Sequence, residues 1–295
     1  MNSELPSNPT SSDRQQQIID YYDLTQGDYE RVWDLNKSFA MHAGHWDETT
    51  KTLPQALARQ NEVLAKMANI KGSDIVLDAG CGVGGSLIFL AERLGCLGTG
   101  ITLSERQAET ALRNSRRRGV SPLIEFQVGD YENMNALIDR GFHVVWAIES
   151  VCHSNNKDRF AKEAYRVLKN GGRLILADAF ATKEQYSKEE QAVMRSGLGW
   201  GVDSLATTEE FRTLLANAGF SNISFTDTTA NVAPSSKKLY DYARLGLPLG
   251  RLAERLGLRT SIQTANIVTA YDQYLALTEG LSNYGIFYAE KPAAA

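Results

Sequence analysis

The chain has 295 residues, of which 43% are hydrophobic and 22% are charged, so it can bury an ordinary globular core as one large α/β domain or as a core with a cap. Its formal net charge of -4 gives no general electrostatic reason to expect nucleic acid as a partner. The cysteines Cys81, Cys96 and Cys152 are scattered and form no CxxC pair, which argues against a disulfide framework or a metal site and for a reducing compartment.

The N-terminal tail, residues 1–14, is polar and lacks the apolar core of a signal peptide. We therefore expect it to be disordered rather than a targeting segment. No apolar run in the chain approaches the ~18 residues that a membrane span needs. A cytoplasmic protein without an integral membrane segment is predicted.

Residues 15–70 are predicted to be mostly helical. An aromatic-rich helix is expected over 15–33, a loop with His42 and His45 follows, and a second helix is expected over 53–68. The pair Lys71-Gly72 is predicted to close that helix, as a C-terminal glycine does.

A glycine-rich turn follows the first predicted strand, over 75–78. The strand ends in the carboxylate of Asp78, the turn contains Gly80, Gly82 and Gly84, and an amphipathic helix begins near Ser86. Strand, glycine turn and helix bring a ligand against the bare N–H groups of a helix N-terminus. A carboxylate at the strand tip would repel a phosphate, so a ligand with an ammonium group or another positive charge is favoured over a pyrophosphate.

Strands and helices then alternate, which predicts βαβ units and a parallel sheet. Further strands are predicted over 97–102, 123–128, 142–149 and 173–178, with helices over 86–94, 104–118, 133–139 and 158–168. Ligands of such sheets lie beyond the carboxyl ends of the strands. Because Asp78, Thr102, Asp130 and Glu149 come at or just after strand ends, we expect them to surround one crevice.

The C-terminal part adds a cap to this core. Helices are predicted over 183–194 and from Thr207 or Thr208 onward, and strands over 222–227 and 284–288. A helical segment over 235–281, apolar on one face, interrupts these two strands and is interpreted as a cap over the crevice. The fold class is therefore a Rossmann-like, doubly wound, mostly parallel seven-stranded α/β sheet. The predicted units are a tail (1–14), N-terminal helices acting as a lid (15–70), a core (71–230), a helical cap (231–282) and a final strand with its tail (283–295).

Five motifs in this order resemble the class I S-adenosylmethionine-dependent methyltransferases. They lie at residues 78–84, 100–107, 129–130, 147–150 and 168–174. Within that class the chain is most similar to the small-molecule group of tocopherol methyltransferases, sterol side-chain methyltransferases and cyclopropane fatty acid synthases. The resemblance covers roughly residues 21–292 and implies S-adenosyl-L-methionine as the cofactor.

The resemblance also implies roles for residues of the cofactor site. Gly80, Gly82 and Gly84 would let the backbone approach the methionine part, and Asp78 would order the loop near the ammonium group. Many class I enzymes hold the ribose with an acid after the second strand, and this acid is missing here. Neutral contacts from Thr102, Leu103 and Gln107 are expected in its place. Asp130 and Tyr131 would contact the adenine, Glu149 would face the sulfonium, and Tyr22 would close over the methionine end. Asp130 also has a structural alternative, as an Asp that caps its own loop.

Histidines offer candidates for the chemistry itself, since an imidazole is the natural base near neutral pH. We expect His153, on the loop after Glu149, to border the transferred methyl group, with Glu149 and His42 as further candidates. Two of the three also have a structural alternative: a loop histidine for His153 and a salt-bridged acid for Glu149. His143, at the start of a strand, is expected to be structural.

The predicted function is methyl transfer to a hydrophobic or amphipathic small molecule, such as an isoprenoid, a sterol-like compound or a prenylated aromatic. The subgroup favours carbon as the acceptor atom. Two alternatives stay open: N- or O-methylation of a natural product, and a cyclase that binds S-adenosylmethionine without consuming its methyl group. A non-catalytic cofactor sensor is disfavoured because a sensor needs no second, apolar pocket. No nucleic-acid partner is expected, and a homodimer is left open.

Overall fold

The computed structural model describes residues 16, 19, 38–137 and 141–293, with Leu198 described by its backbone alone. The predicted helix over 15–33, including Tyr22, lies outside these residues apart from two isolated positions. The strands are β1 Ile75–Ala79, β2 Leu97–Thr102, β3 Ile124–Val128, β4 Phe142–Ile148, β5 Leu168–Ala181, β6 Ser221–Asp227 and β7 Ser282–Glu290. The α-helices of the described ranges are α1 Leu53–Met67, α2 Gly85–Leu94, α3 Glu105–Arg117, α4 Lys157–Val167, α5 Lys188–Arg195, α6 Thr208–Ala218, α7 Thr229–Arg255 and α8 Ser261–Thr278.

The strands form one seven-stranded sheet in the order β3-β2-β1-β4-β5-β7-β6. Strands β1 to β5 run parallel to one another, and β7 runs antiparallel between β5 and β6. The predicted doubly wound, mostly parallel fold is confirmed. The strand order reverses direction between β1 and β4, and ligands of doubly wound sheets bind at such a switch point.

Two hydrophobic layers cover the faces of the sheet. Along β4, Val144 and Trp146 belong to one layer while Val145 and Ala147 belong to the other. This alternation follows from the period of two in a β-strand. Both faces are therefore buried, and the edge formed by the carboxyl ends of the strands remains for a site.

Two local predictions are wrong in their details. Helix α1 ends at Met67, ahead of Lys71-Gly72, because Asn69 takes the left-handed conformation (φ 48°) and breaks the helix. The segment predicted as a helix over 133–139 contains only a 3-10 turn, Asn135–Leu137, within its described part.

The predicted cap consists of two helices rather than one. Helices α7 and α8 follow β6 and precede β7 along the chain, and they pack against each other. A left-handed Gly257 (φ 69°) ends α7, and Thr260 caps the start of α8 through a hydrogen bond from the Gln263 N–H. In the described part of the chain, none of the helices is both long enough and apolar enough to cross a bilayer.

Candidate active site

The three glycines of the turn after β1 have different surroundings. All have positive φ angles, 91° at Gly80, 52° at Gly82 and 86° at Gly84, which favours glycine. A Cβ on Gly84 would lie 2.7 Å from the Phe126 ring, so this glycine lets α2 pack against the sheet. A Cβ on Gly82 would meet only the Met41 sulfur at 3.7 Å. Gly80 and Gly82 line a cleft at the strand ends, and Gly84 does not.

Asp78 lines this cleft, which we call the cofactor cleft because it is the candidate site for the predicted cofactor. Its side chain is buried, and its Oδ2 atom has no hydrogen-bond partner among the described residues. Burial raises the pKa of Asp78 to about 7, because a desolvated carboxylate loses its hydration without a compensating donor. A bound ammonium group would supply both the donor and the opposite charge.

The last residue of β2 and a residue in the first turn of α3 form a buried hydrogen-bonded pair on the cleft wall. The Thr102 hydroxyl donates to Gln107 Oε1 at 2.6 Å, and the Ser104 N–H donates to Thr102 Oγ1 at 3.3 Å. With its oxygen engaged, the Gln107 amide presents N–H donors as its other hydrogen-bonding group. Leu103 lines the same cleft. The wall that usually carries an acid is therefore neutral.

Asp130 and Tyr131, on the loop after β3, have different surroundings. Tyr131 lines the cofactor cleft, and its hydroxyl donates to the Ser150 carbonyl oxygen at 2.8 Å. Asp130 is not among the residues that line this cleft. Its Oδ1 accepts the Glu132 N–H at 2.7 Å, the arrangement of an Asp that stabilises a turn. Of the four residues expected to surround one crevice, Asp78, Thr102 and Glu149 line this cleft and Asp130 does not.

Glu149, which directly follows β4, is held in a strained conformation with a positive φ of 47°. Its Oε1 accepts the Ala43 N–H at 2.7 Å and the Tyr284 hydroxyl at 2.9 Å. Burial raises the pKa of Glu149 to about 7. The carboxyl group thus joins the sheet to the loop before α1, and a group with this pKa can change its protonation state near neutral pH.

That loop, residues 39–46, is hereafter the strap, because it connects the cofactor cleft to the cap. The Gly44 N–H and the Trp46 indole N–H both donate to the buried Ser235 hydroxyl of α7, at 3.0 and 2.9 Å. Within the strap, the Nδ1–H of His42 donates to the Ala43 carbonyl oxygen at 2.8 Å. Its Nε2 is buried without a hydrogen-bond partner in the described structure, and burial lowers the pKa of His42. The ring is therefore a neutral acceptor at the cleft.

A second cavity of about 1190 Å³ lies between the sheet and the cap. Helices α5 to α8, together with the 3-10 segment Ser196–Trp200, form most of its wall. The cofactor cleft and this second cavity share three lining residues, Met41, Glu149 and His153. The volume exceeds that of a typical drug-sized ligand site, so the cavity has room for a large small molecule.

His153 lies at the junction of the two cavities in the 3-10 turn Val151–His153. Its ring makes a hydrogen bond to the backbone of Gly201, and burial lowers the pKa of His153 to about 4. The imidazole is therefore neutral at pH 7. His143, by contrast, accepts the Ile75 N–H at 3.0 Å at the opposite end of the sheet, as expected for a structural histidine.

Sequence reasoning did not identify Tyr284, Ser235 or Lys157 as parts of the site. Tyr284 reaches Glu149 because β7 is inserted antiparallel next to β5, a pairing that no local motif reports. The Lys157 ammonium is held by the carbonyl oxygens of Ser154 and Ser204, at 2.9 and 3.1 Å, and it lines the large cavity.

Comparisons with known proteins agree with this geometry. A family described as a methyltransferase domain matches residues 77–176. The chain is 30% identical over 277 residues to 27-O-demethylrifamycin SV methyltransferase of Amycolatopsis mediterranei (strain S699). This alignment covers 92% of the chain and 95% of the relative. It is 30% identical over 218 residues to sterol 24-C-methyltransferase of Eremothecium gossypii, covering 72% of this chain and 57% of the relative.

Among solved structures, the [4+2]-cyclase SpnF matches with a TM-score of 0.77 and 24% identity, over 99% of this chain and 100% of the other. At that identity the match shows a shared fold alone. The cofactor is S-adenosyl-L-methionine, since the chain matches a methyltransferase over 95% of that protein's length. The Asp78 carboxylate oxygen without a hydrogen-bond partner in the described structure fits the ammonium group of this cofactor. The chain is an enzyme that belongs to the class I S-adenosylmethionine-dependent methyltransferases.

Proposed function

We propose that the enzyme transfers a methyl group from S-adenosylmethionine to a bulky, largely apolar small molecule held between the sheet and the cap. One observation carries this proposal: the cofactor cleft and the large cavity share Met41, Glu149 and His153 as lining residues. Methyl transfer requires donor and acceptor sites that open onto one another. The cavity of about 1190 Å³ is larger than a small amino acid substrate would need.

When bound, the cofactor supplies a methyl group on a sulfonium, ready for in-line displacement. The protein then has to align the acceptor with that methyl group and to exclude water. The strap serves both needs in our proposal, since it contacts Glu149 on the sheet and Ser235 on the cap. Glu149, when ionised, would also stabilise positive charge at the junction.

For the cofactor, we assign the ammonium group to Asp78 and the close backbone approach to Gly80 and Gly82. The ribose hydroxyls would face the Thr102–Gln107 pair, and Leu103 and Tyr131 would contact the base. The contacts of Gly84 with Phe126 support a packing role for that glycine. The hydrogen bond from the Glu132 N–H supports a turn-stabilising role for Asp130. Tyr22 lies outside the described residues, and its contact with the methionine end stays a prediction.

His153 is our candidate base. Its ring is neutral at pH 7 because burial lowers its pKa to about 4, and it borders both cavities. A neutral ring can accept a substrate proton or a hydrogen bond that orients the acceptor. Because a ring with a pKa of about 4 is a weak base at pH 7, orienting the acceptor is the stronger of the two roles. His42, whose Nε2 is buried in the cofactor cleft, is better placed to accept a hydrogen bond from the cofactor than to reach the acceptor.

Carbon stays the acceptor atom that the subgroup resemblance predicts, and the sterol relative is named for methylation at carbon. Oxygen is the second candidate. The relative matched over 95% of its own length is named for a 27-O-demethyl substrate, and a hydroxyl acceptor would need a neutral base such as His153. With either acceptor atom, the proposed substrate is a large, mostly apolar molecule, because the cavity that would hold it has a volume of about 1190 Å³.

The test is a screen of isoprenoid, sterol-like and polyketide acceptors with methyl-labelled S-adenosylmethionine, followed by location of the label in the product. We expect S-adenosylhomocysteine to form in proportion to a labelled product. An altered acceptor without S-adenosylhomocysteine would instead identify the cyclase alternative and refute methyl transfer. In the same assay, H153A is expected to lower kcat by about 10²-fold while S-adenosylhomocysteine affinity is retained. Unchanged turnover in H153A would remove His153 from the mechanism.

A further inference from the structure

The cap carries an exposed apolar stripe on α7 that the methyl-transfer reaction does not use. Eleven large hydrophobic residues are exposed in the described structure, and seven of them lie between positions 242 and 262. Leu245, Leu249, Leu252 and Leu256 are 71%, 70%, 52% and 64% exposed. Beyond the helix, Leu258 is 79% exposed. We call Leu245, Leu249 and Leu252 of α7, together with Leu256 directly after its last residue, the leucine stripe.

The spacing of the leucine stripe places it on one side of α7. At 3.6 residues per turn, its four members fall within an arc of about 60°. Ala243 and Gly250, which are buried, point to the opposite side of the helix and face α8 and the cavity. The helix is thus apolar on two opposite sides, and the described part of the chain covers only one of them.

A row of cations follows the leucine stripe along the same helix. Arg244, Arg251 and Arg255 are exposed and lie on α7 about 100° around the axis from the middle of the stripe. None of the three has an ion-pair partner in the part of the chain that the structure describes. Residues 237–259 contain six cationic and two anionic side chains, a net charge of +4, in a chain whose net charge is -4.

We propose that the leucine stripe and the cation row dock the enzyme on an anionic membrane surface. Adjacent rows of leucine and arginine are the composition of helices that lie in the bilayer interface, where the leucines enter the acyl region and the cations contact anionic headgroups. Self-association through the same face is disfavoured by charge. A twofold contact would place two regions of +4 against each other.

The position of the stripe gives docking a consequence for substrate entry. Tyr242, one turn before Leu245, is 53% exposed and also lines the large cavity, as does Gly246. The stripe is therefore continuous with the cavity wall. A bilayer-dissolved acceptor could pass from the membrane into the cavity along this edge of the cap. This consequence rests on the proposed function, whereas docking itself does not.

The experiment is co-sedimentation of the full chain with vesicles of phosphatidylcholine alone or mixed with phosphatidylglycerol, at about 0.15 M salt. We expect binding to the anionic vesicles that weakens at higher salt. The double substitution Leu249→Asp with Leu252→Asp should weaken it at least ~10-fold, and Arg251→Glu with Arg255→Glu should do the same for anionic vesicles only. The matched control is Leu112→Asp, an exposed leucine on α3, which should bind like wild type.

Affinity for S-adenosylhomocysteine, measured on each variant, reports whether the core remains folded and is expected to be unchanged. If the leucine variant loses this affinity, the arginine variant alone decides the test. The proposal is overturned if wild type fails to bind anionic vesicles, or if neither double variant weakens binding. It is also overturned if wild type ignores vesicles but self-associates in a way that the leucine substitutions abolish. Vesicle binding needs neither acceptor nor methyl transfer, so its failure leaves the proposed function untouched.

Discussion

Replacing Asp78 by Asn should weaken cofactor binding, and it should also reduce the loss of stability that wild type shows as pH rises. In the free protein, burial raises the pKa of Asp78 to about 7 from an ordinary value of 3.8. The folded state therefore holds a proton that the unfolded state has released between about pH 4 and pH 7. The free energy of unfolding must fall as pH rises through this window.

The difference between the two pKa values sets the magnitude. About 3 pKa units correspond to at most about 4 kcal/mol of stability over the whole window, and the part above pH 5, about 2 units, corresponds to about 3 kcal/mol. Wild type should lose this ~3 kcal/mol between pH 5 and pH 8, and D78N should not. Comparing each protein at pH 5 and at pH 8 cancels the cost of burying the new amide. It also cancels the titration of Glu149, which both proteins retain. Chemical denaturation at both pH values gives the double difference.

The same substitution should weaken binding of the cofactor product S-adenosylhomocysteine. We assign the cofactor's ammonium group to Asp78, and a hydrogen bond to a charged partner contributes about 2 kcal/mol. D78N should therefore bind S-adenosylhomocysteine about 30-fold more weakly at pH 8, measured by calorimetry. Wild-type affinity should rise as pH increases through about 7, because the cation favours the ionised carboxylate, and D78N should lack this rise.

The matched control is D178N, at the end of the parallel part of β5. Both oxygens of Asp178 already accept backbone N–H groups, from Cys152 at 2.9 Å and Ala179 at 2.8 Å, and the residue does not line the cofactor cleft. D178N should lower stability and leave S-adenosylhomocysteine affinity nearly unchanged. Equal affinity of D78N and wild type would refute the assignment of Asp78, and so would a larger loss of stability between pH 5 and pH 8 in D78N.

Three further substitutions test the surroundings of the site. G84A should lower the free energy of unfolding by about 2–4 kcal/mol, because its φ is 86° and its Cβ would lie 2.7 Å from a ring carbon; G95A, with φ 72° and open space, should cost only about 1–2 kcal/mol in the same denaturation assay. S235A removes the acceptor of the Gly44 N–H, so amide hydrogen exchange should become faster at Gly44 and stay unchanged at core amides. Unchanged exchange at Gly44 would contradict the proposal that the strap is held to the cap by Ser235. E149Q removes a group with a pKa of about 7, so the loss of kcat below that pH, measured at saturating cofactor, should be present in wild type and absent from the variant.

Much of the cofactor cleft could be predicted from the sequence because its parts are local. A strand, a turn that needs positive φ angles and a helix are consecutive in the chain, and parallel strands bring their carboxyl ends to one edge. Asp78, Thr102 and Glu149 were predicted to meet for this reason, and all three line the cleft. Asp130 shows the limit of the method. Position after a strand does not decide whether a side chain enters the cleft or bonds to its own turn.

The substrate side could not be predicted at the same depth, since its contacts join segments far apart in the chain. Glu149 meets Ala43 and Tyr284, more than a hundred residues away on each side, and Ser235 meets Gly44 across 191 positions. Such pairs leave no periodic signal, because each residue obeys only the local pattern of its own helix, strand or loop.

The sequence by itself thus determined the fold class, the cofactor and the glycine turn, all of which depend on residues close together in the chain. Only the tertiary structure decided that the strap joins the cofactor cleft to the cap, and that a cavity of about 1190 Å³ shares Met41, Glu149 and His153 with that cleft. It also decided that α7 buries one apolar side and exposes the other. The hydrophobic pattern of a helix states which residues are apolar, whereas the partner that covers them is chosen by packing.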